Sequence, residues 1–565
     1  MPRSRARQLL AGLAVPKWHE LGVRHEDTSG YTLHCKDVHY LDKLQLLSLP
    51  AHDPQVVSDL RYLLRWTEDP RLYEPAKSDK LERARMKPTD IAQQLANGKL
   101  RIQTNPLGTC KAFRVPEHAK RRWRAIQHPI LANLRTAGDY KVSFTSIPAR
   151  HGAILRGRWC IDLDWSAFFD QFELSEEVSR YFSFIARDGR VYSMRVLPMG
   201  LKHSVSIAHM ATMQLLNFNP ASHTEAYIDN VRLLHDDRTR VIHDAAKLLC
   251  RCHTARVTVN ELRDKDKGDR MHLLDGLDEA AKFAKAVELV TPMCRQSSDW
   301  LGETYDYETK ELSVSERTLR KVDECLNAKR PSFRTFAASV GILQYASRTL
   351  DLPLSAYYPA RRAISAVSAL LQDRDDLWDA AMPPLCPDVV HCLQRWRDDI
   401  LAAPPRTVHA EQDPDLVIVV DASDYGLGAL AIDDLNREQH FAQKWSLSDQ
   451  RAFDTGVSTR SEPEGIFRAC CRFVRRSHHR RVFIWSDSQA SVHAYNKGHS
   501  LAYWMNHCID RLRKTFPEVT FVVAHVPGKD NPADAISRGA TEPTPEQWDQ
   551  ARKLSDEARA TQMMG

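Results

Sequence analysis

The stretch EAYIDNVRLL, residues 225–234, sets two short strand-like runs on either side of an acidic turn, Tyr227-Ile228-Asp229-Asn230. Asn readily accepts a positive φ, so the segment is expected to form a two-residue hairpin with Asp229 at its tip. Taken alone, this is only a hairpin turn. Its acid gains a chemical meaning from the other acids that the chain brings to it.

The first of these lie in RWCIDLDW, residues 158–165. Side chains alternate along a strand, so Cys160, Asp162 and Asp164 share one face, and Trp159, Ile161 and Leu163 share the other. Two acids therefore stand on one side of one strand. An isolated acid at a strand end is usually just solvated, and the sequence around this one changes that reading.

Counting from Asp164, Phe169 comes five residues later, and Gln171, Leu174, Arg180 and Phe184 follow. These positions are in register with those of reverse transcriptases, which the region resembles. VLPMGLKHSVSIAHM, residues 196–210, resembles that family's LPxGxxxS element, and FRVPEHAKRRWRAIQ, residues 113–127, its fingers hairpin. YIDN resembles the family's metal-binding turn, and Trp300-Leu301-Gly302 its primer-grip hairpin. The resemblance implies that Asp164 and Asp229 bridge two Mg²⁺ (or Mn²⁺) ions, with Asn230 standing where a further acid is usual. It also implies nucleotide contacts from Lys120, Arg121, Arg124, Phe169, Met199 and Gly200, with Phe169 rejecting a ribose 2′-hydroxyl. Lys202, Trp300 and Gly302 would touch nucleic acid. Physically, Pro198 fixes φ and Gly200 lets backbone approach a ligand closely. Asp162, on the face of Asp164, is the expected source of the charge missing at Asn230.

A second set of acids lies towards the C-terminus: Asp421 in VVDASDYGLGALAI, Glu462 in TRSEPEGIFRAC, Asp487 in IWSDSQASVHA and Asp534 in HVPGKDNPADAISR. In this order they resemble ribonuclease H, which implies four carboxylates around two further Mg²⁺ (or Mn²⁺) ions. Glu464 is the rival helix acid, but the spacing to Ile466 and Phe467 favours Glu462. Asn531 is expected to cap a helix with Pro532 at its first position and Asp534 in its first turn. His525 falls on the preceding strand, where packing or exposure is expected rather than catalysis. Arg475 and Arg476, in the basic run RACCRFVRRSHHRR, are expected to touch a phosphate backbone.

The wider sequence is consistent with this but adds little by itself. With 79 Lys plus Arg against 73 Asp plus Glu, the net charge of +6 is too mild to imply a nucleic-acid partner. The twelve cysteines contain no CxxC pair, so reduced thiols in an intracellular protein, cytoplasmic or nuclear, are expected. No stretch is long and apolar enough for a membrane span.

The expected fold class is multidomain, α+β followed by α/β. Residues 1–87 form an N-terminal extension of unassigned role, 88–310 fingers and palm, 311–401 a helical thumb and connection, and 402–415 a Pro-rich linker. Residues 416–540 form a ribonuclease H-like domain, and 541–565 a polar tail. The ending NPADAISRG resembles retrotransposons of the DIRS and VIPER type, and hepadnaviral or caulimoviral polymerases, more than retroviruses. The implied activity is RNA- and DNA-directed DNA synthesis with cleavage of RNA in hybrids. Its partners would be an RNA template, a DNA primer, RNA–DNA hybrid and dNTPs. The sequence shows no aspartic-protease motif or zinc knuckle, so any capsid or recombinase function is expected on a separate chain. The alternative is a scaffold inactive at Asn230 that keeps ribonuclease H activity alone.

Overall fold

The central strand of the first sheet is Asn230–His235, paired antiparallel with both Trp159–Asp164 and His223–Tyr227. The computed structural model describes residues 28–560 except 76–79, 118–119, 265–267, 328–330, 373–376 and 411. It divides into two compact units, the first ending at Glu311 and the second starting at Leu312.

In the first unit the helix Ser204–Leu216 is apolar on nearly every side and buried almost throughout, as a helix wrapped by neighbours must be. With Arg238–Thr254 it builds the core around the sheet. A second layer is the hairpin of Lys111–Glu117 with Arg122–His128. The short strand Thr32–His34 adds to this hairpin in parallel. The described part of residues 1–87 thus belongs to the same body. The helix Pro54–Glu68, capped by Asp53 with Pro54 at its first position, buries Leu60, Leu63, Leu64 and Trp66 in the shared core.

The second unit starts with helices Phe333–Thr349, Tyr358–Leu370 and Pro387–Ala402, packed around Trp396, whose ring stacks on Tyr357 at 4.6 Å. A five-stranded sheet follows, in the order Glu438–Lys444, Gly426–Asp433, Leu416–Ala422, Arg481–Ser486, Thr520–His525. The first three strands pair antiparallel and the last three parallel. This is the expected ribonuclease H-like α/β arrangement, so the multidomain α+β and α/β class holds. All seven residues of Leu416–Ala422 are buried, because helices cover both faces of the strand. Leu416, Ile418 and Val420 face the helices Ser458–Phe473 and Tyr503–Thr515. Val417 and Val419 face the other way.

The polar tail of the sequence reading is a finding of a different kind. Within residues 541–565, Pro545–Ala560 is a helix that closes this second face. Trp548, Ala551, Leu554 and Ala558 form one helical stripe that the polar average of the segment hides. Trp485 Nε1 donates to the Leu554 carbonyl at 3.1 Å, and Arg559 Nη2 to the Asp433 carbonyl at 2.7 Å. All twelve cysteines are free thiols. Among the described residues, no helix is long and apolar enough to cross a membrane.

Leu554 is 4% exposed, so Leu554→Ala is expected to cost about 2–5 kcal/mol by loss of burial and cavity formation. Denaturant unfolding of the full chain, followed by Trp fluorescence, measures this. A loss below about 0.5 kcal/mol, the size of an ordinary surface substitution, would mean that the helix does not pack as described.

Candidate active sites

Asp164 and Asn230 stand directly opposite each other at the ends of adjacent strands, and Tyr227 pairs with Asn230 across a two-residue turn, Ile228-Asp229. The left-handed position of that turn belongs to Ile228, with φ +58°, and not to Asn230. A β-branched residue there costs about 1–3 kcal/mol and persists only where its surroundings hold it. Thr212 Oγ1 donates to the Ile228 carbonyl at 2.6 Å, and Trp165 Nε1 donates to Thr212 Oγ1 at 2.9 Å. The Trp165 backbone N–H donates to the Asp229 carbonyl at 2.8 Å. The turn is thus pinned by the buried helix on one side and by the Asp164 strand on the other. Asn230 is free of the turn's strain and uses its amide differently: Nδ2 donates to Asp229 Oδ1 at 2.9 Å.

Sequence reasoning missed a third acid here. The Asp164 backbone N–H donates to Glu261 Oε2 at 3.0 Å. Glu261 arrives through an isolated bridge between Trp165 and Val259, followed by a single tight turn, and no sequence motif announces it. Burial, then Asp229, then Glu261 push the Asp164 carboxyl up to about 7. Asp229 is raised by burial, against the opposing Asn230 hydrogen bond and the charge of Arg124. Burial also raises Glu261.

Asp162 does not take the expected role. Its Oδ2 accepts from Arg295 Nη2 at 3.0 Å, and directly opposite it lies Arg232. Arg232 is fully buried, ion-paired to Glu225 and set over the rings of Trp300 and Tyr305 at 4.9 and 4.1 Å. Asp162 therefore faces two guanidiniums, and its charge is taken up before it can serve Asp164.

The remaining expected contacts divide. Arg124 is exposed, with Nη2 3.7 Å from Met199 Sδ, itself exposed. Lys120 and Arg121 are exposed beside it, Arg121 at φ +48°. Phe169 is half-buried in a tight turn that follows Ala167 at φ +50°. At Gly200 packing itself demands glycine, because a Cβ there would meet the Gln127 carbonyl at 3.0 Å and Pro129 at 3.2 Å. Lys202 Nζ donates to the Thr136 carbonyl at 3.0 Å. Trp300, expected at nucleic acid, is 3% exposed and packs on Arg232. Leu301 and Gly302, with φ of +52° and +92°, form the hairpin tip instead.

In the second unit, carboxylate oxygens of Asp421, Glu462 and Asp487 all lie within 4.8 Å of one another. Glu462 Oε2 is buried without a hydrogen-bond partner. Burial, Asp421 and Asp487 push the Glu462 carboxyl up to about 9, and burial pushes Asp421 up to about 6 against the hydrogen bond from Ser537. An orphaned buried oxygen inside three hard-oxygen donors fits a divalent cation. Glu464 is occupied elsewhere, with Arg468 Nε at 2.9 Å and Arg511 Nη1 at 3.0 Å.

Asp534 stands outside the three-acid group, its Oδ1 accepting from Arg538 Nε at 2.9 Å. Asn531 caps as expected, its Oδ1 accepting from the Ala533 backbone N–H at 3.1 Å, and it also ties the loop to the central strand, Nδ2 donating to the Val420 carbonyl at 3.2 Å and to Asp421 Oδ1 at 3.3 Å. His525 is exposed at the end of its strand. Arg475 and Arg476 are exposed beyond the far end of the Glu462 helix, about 20 Å along its axis from that acid at 1.5 Å per residue.

Two acids thus stand at adjacent strand ends beside a buried helix. Residues 108–265, which contain both, match the reverse transcriptase (RNA-dependent DNA polymerase) family. No curated protein matches the chain. Among solved structures, a foamy viral protease–reverse transcriptase in complex with double-stranded DNA is 11% identical, covering 93% of this chain and 97% of its own, with a TM-score of 0.42. The same viral protein in complex with RNA/DNA hybrid is also 11% identical, covering 87% of this chain and 64% of its own, with a TM-score of 0.42.

Two measurements test these sites. Raised carboxyl pKa values mean that the folded state keeps protons the unfolded chain releases, so cation-free stability falls as pH rises from about 4.5 towards about 9. Thermal unfolding in EDTA is expected to show this fall, with Mg²⁺ reversing it and Glu462→Gln flattening it; a pH-independent Tm would contradict it. For the palm, Mn²⁺ titration in an Asp487→Asn background is expected to weaken about tenfold with Glu261→Gln, the low end for a supporting group. Asp162→Asn should leave it within about twofold, and the reverse order would restore the role first expected of Asp162.

Proposed function

We propose that the first unit is an RNA- and DNA-directed DNA polymerase and that the second cleaves the RNA strand of RNA–DNA hybrids, together copying a retroelement RNA into DNA. The observation that carries the first half is that Asp164 and Asp229 both fall within the matched reverse transcriptase segment and meet across adjacent strand ends. Two Mg²⁺ or Mn²⁺ ions would activate the primer 3′-hydroxyl and offset the charge of the leaving pyrophosphate. Asp164 and Asp229 would hold them, with Glu261 adding negative charge beside Asp164. The Asn230 amide steadies the Asp229 carboxylate in its ionised form. Arg124 and Lys120, exposed on the hairpin, offer cations to a triphosphate, and Phe169 limits space at the sugar.

In the second unit the reading rests on Asp421, Glu462 and Asp487 converging around an unsatisfied buried oxygen. Asp534 would join them on leaving Arg538. A cleft of about 600 Å³ lined by Tyr358, Arg362, Arg460, Tyr503 and Trp504 offers rings and guanidiniums of the kind that hold a nucleic-acid strand. RNA template, DNA primer, hybrid and dNTPs are the partners in this reading. The element would be of the DIRS or VIPER type, and the protein would work in the cytoplasm or nucleus. Asn230 favours a second reading, a nucleic-acid-binding palm that has lost synthesis and kept hybrid cleavage.

A paired assay separates the two. Primer extension on an RNA template is expected and should vanish with Asp229→Ala, while hybrid cleavage is expected and should vanish with Asp487→Asn. Cleavage without extension would select the scaffold reading.

A further inference from the structure

The segment Tyr31–Asp42 lies outside the matched reverse transcriptase residues, yet it is sewn to the palm and to the fingers hairpin. Thr32, Leu33 and His34 pair in parallel with Arg122, Trp123 and Arg124. Leu33 is buried, and Tyr31 meets the Trp123 ring edge-on at 6.2 Å. Further along, the Val38 N–H donates to the Asn97 carbonyl at 3.3 Å, the Leu41 N–H to the Gln171 carbonyl at 2.9 Å and the Asp42 N–H to the Ala255 carbonyl at 2.8 Å. The segment is a strap anchored at both ends, and Lys36 sits between the anchors.

Lys36 Nζ donates to Ser166 Oγ at 2.9 Å and to Asn260 Oδ1 at 3.1 Å. Ser166 lies two residues after Asp164, and Asn260 immediately precedes Glu261. Arg263 Nη1 reaches the same Ser166 hydroxyl at 3.3 Å. The ammonium is therefore held at the catalytic acids by neutral oxygens. Among the described residues, no carboxylate comes within ion-pair distance of it; burial, then Arg263, lower its pKa below the ordinary lysine value, and Asp164 opposes them. Two of its three N–H groups are used in these bonds. Arg122 and Lys120 of the hairpin press on it from the fingers side. A cation fixed by neutral groups, between an acid pair and a basic hairpin, is built to meet an anion that arrives from outside.

We infer that Lys36, supplied by the N-terminal strap, is a nucleotide-binding residue of the polymerase site that contacts the triphosphate of the incoming dNTP. The inference rests on the polymerase reading and adds to it a residue from outside the matched domain. A Lys ammonium serves as a compact point charge for phosphate. Its place beside Asp164, on the side facing Lys120 and Arg122, favours the triphosphate over the strand backbone.

The test uses the full chain with a dideoxy-terminated primer–template in Ca²⁺, so that binding is read without chemistry. A fluorescent dNTP is titrated against the unaltered protein, Lys36→Met and Lys36→Arg. Lys36→Met is expected to raise the dNTP Kd about 10- to 100-fold, the weight of a hydrogen bond to a charged group. Primer–template affinity should stay within about twofold, and Lys36→Arg should recover most of the loss. An unchanged dNTP Kd overturns the inference, as does weaker primer–template binding with dNTP affinity kept, which would assign Lys36 to a strand phosphate. Tighter dNTP binding by Lys36→Met would make the strap an obstruction and overturns it as well. If Lys36→Met melts early, Lys36→Arg decides, because a purely steric role would not be rescued by restored charge. Failure of the unaltered protein to bind dNTP refutes the polymerase reading together with this one; binding that ignores Lys36 refutes this one alone.

Discussion

The acidic turn of the first unit depends on a backbone that its own sequence disfavours. Ile228 in the left-handed region would relax if it were free, and the hydroxyl of Thr212 and the N–H of Trp165 deny it that freedom. Both restraints come from elements with independent reasons to exist. Thr212 is on a helix buried on nearly every side, and Trp165 directly follows a strand whose partner is the central strand of the sheet. Strain held in this way keeps the Asp229 backbone in one place. The same logic explains Asn230. A second carboxylate would repel Asp229 at the tip of a strained turn, whereas an amide donates to it.

The two sites solve the problem of crowding negative charge in different ways. In the palm, acids are separated among two strands and a turn, and the nearby cations are arranged so that some are spent and others kept. Arg295 and Arg232 are occupied by Asp162 and Glu225, Arg124 divides its charge between Glu117 at 3.6 Å and the site, and Lys36 is held at the site by neutral oxygens. In the second unit three carboxylates converge without cationic relief inside the group, and burial is the leading cause of their raised pKa values. That arrangement is tolerable as a set of partly protonated acids and would become favourable if a dication replaced the protons.

Much of this was legible in the sequence, for reasons that follow from periodicity. Alternation placed Asp164 beside Asp162 on one face of a strand, and the order of the four C-terminal acids pointed to the α/β domain. Residues whose role depends on a long-range meeting were not legible. Glu261 enters through one bridge pair, Lys36 through a parallel strand pairing distant residues, and neither has a local signature. Where local chemistry misled, packing was the reason. Asn230 was suited to the left-handed position, but the pairing of Tyr227 with Asn230 gave it to Ile228. Trp300 looked like a surface aromatic until Arg232, a buried charge that needs partners, drew it into the core. The terminal helix was hidden because its average is polar while its stripe is not.

The strap bearing Lys36 has a consequence for how the molecule comes into being. Its three paired residues wait for partners 90 positions further along the chain, and its later anchors wait for Gln171 and Ala255. Contacts of such sequence separation form slowly, because the intervening chain must first be ordered. The site is therefore complete only after the body of the first unit has condensed around it. An interrupted or shortened product of translation would carry the acids of the palm without the geometry that makes them useful.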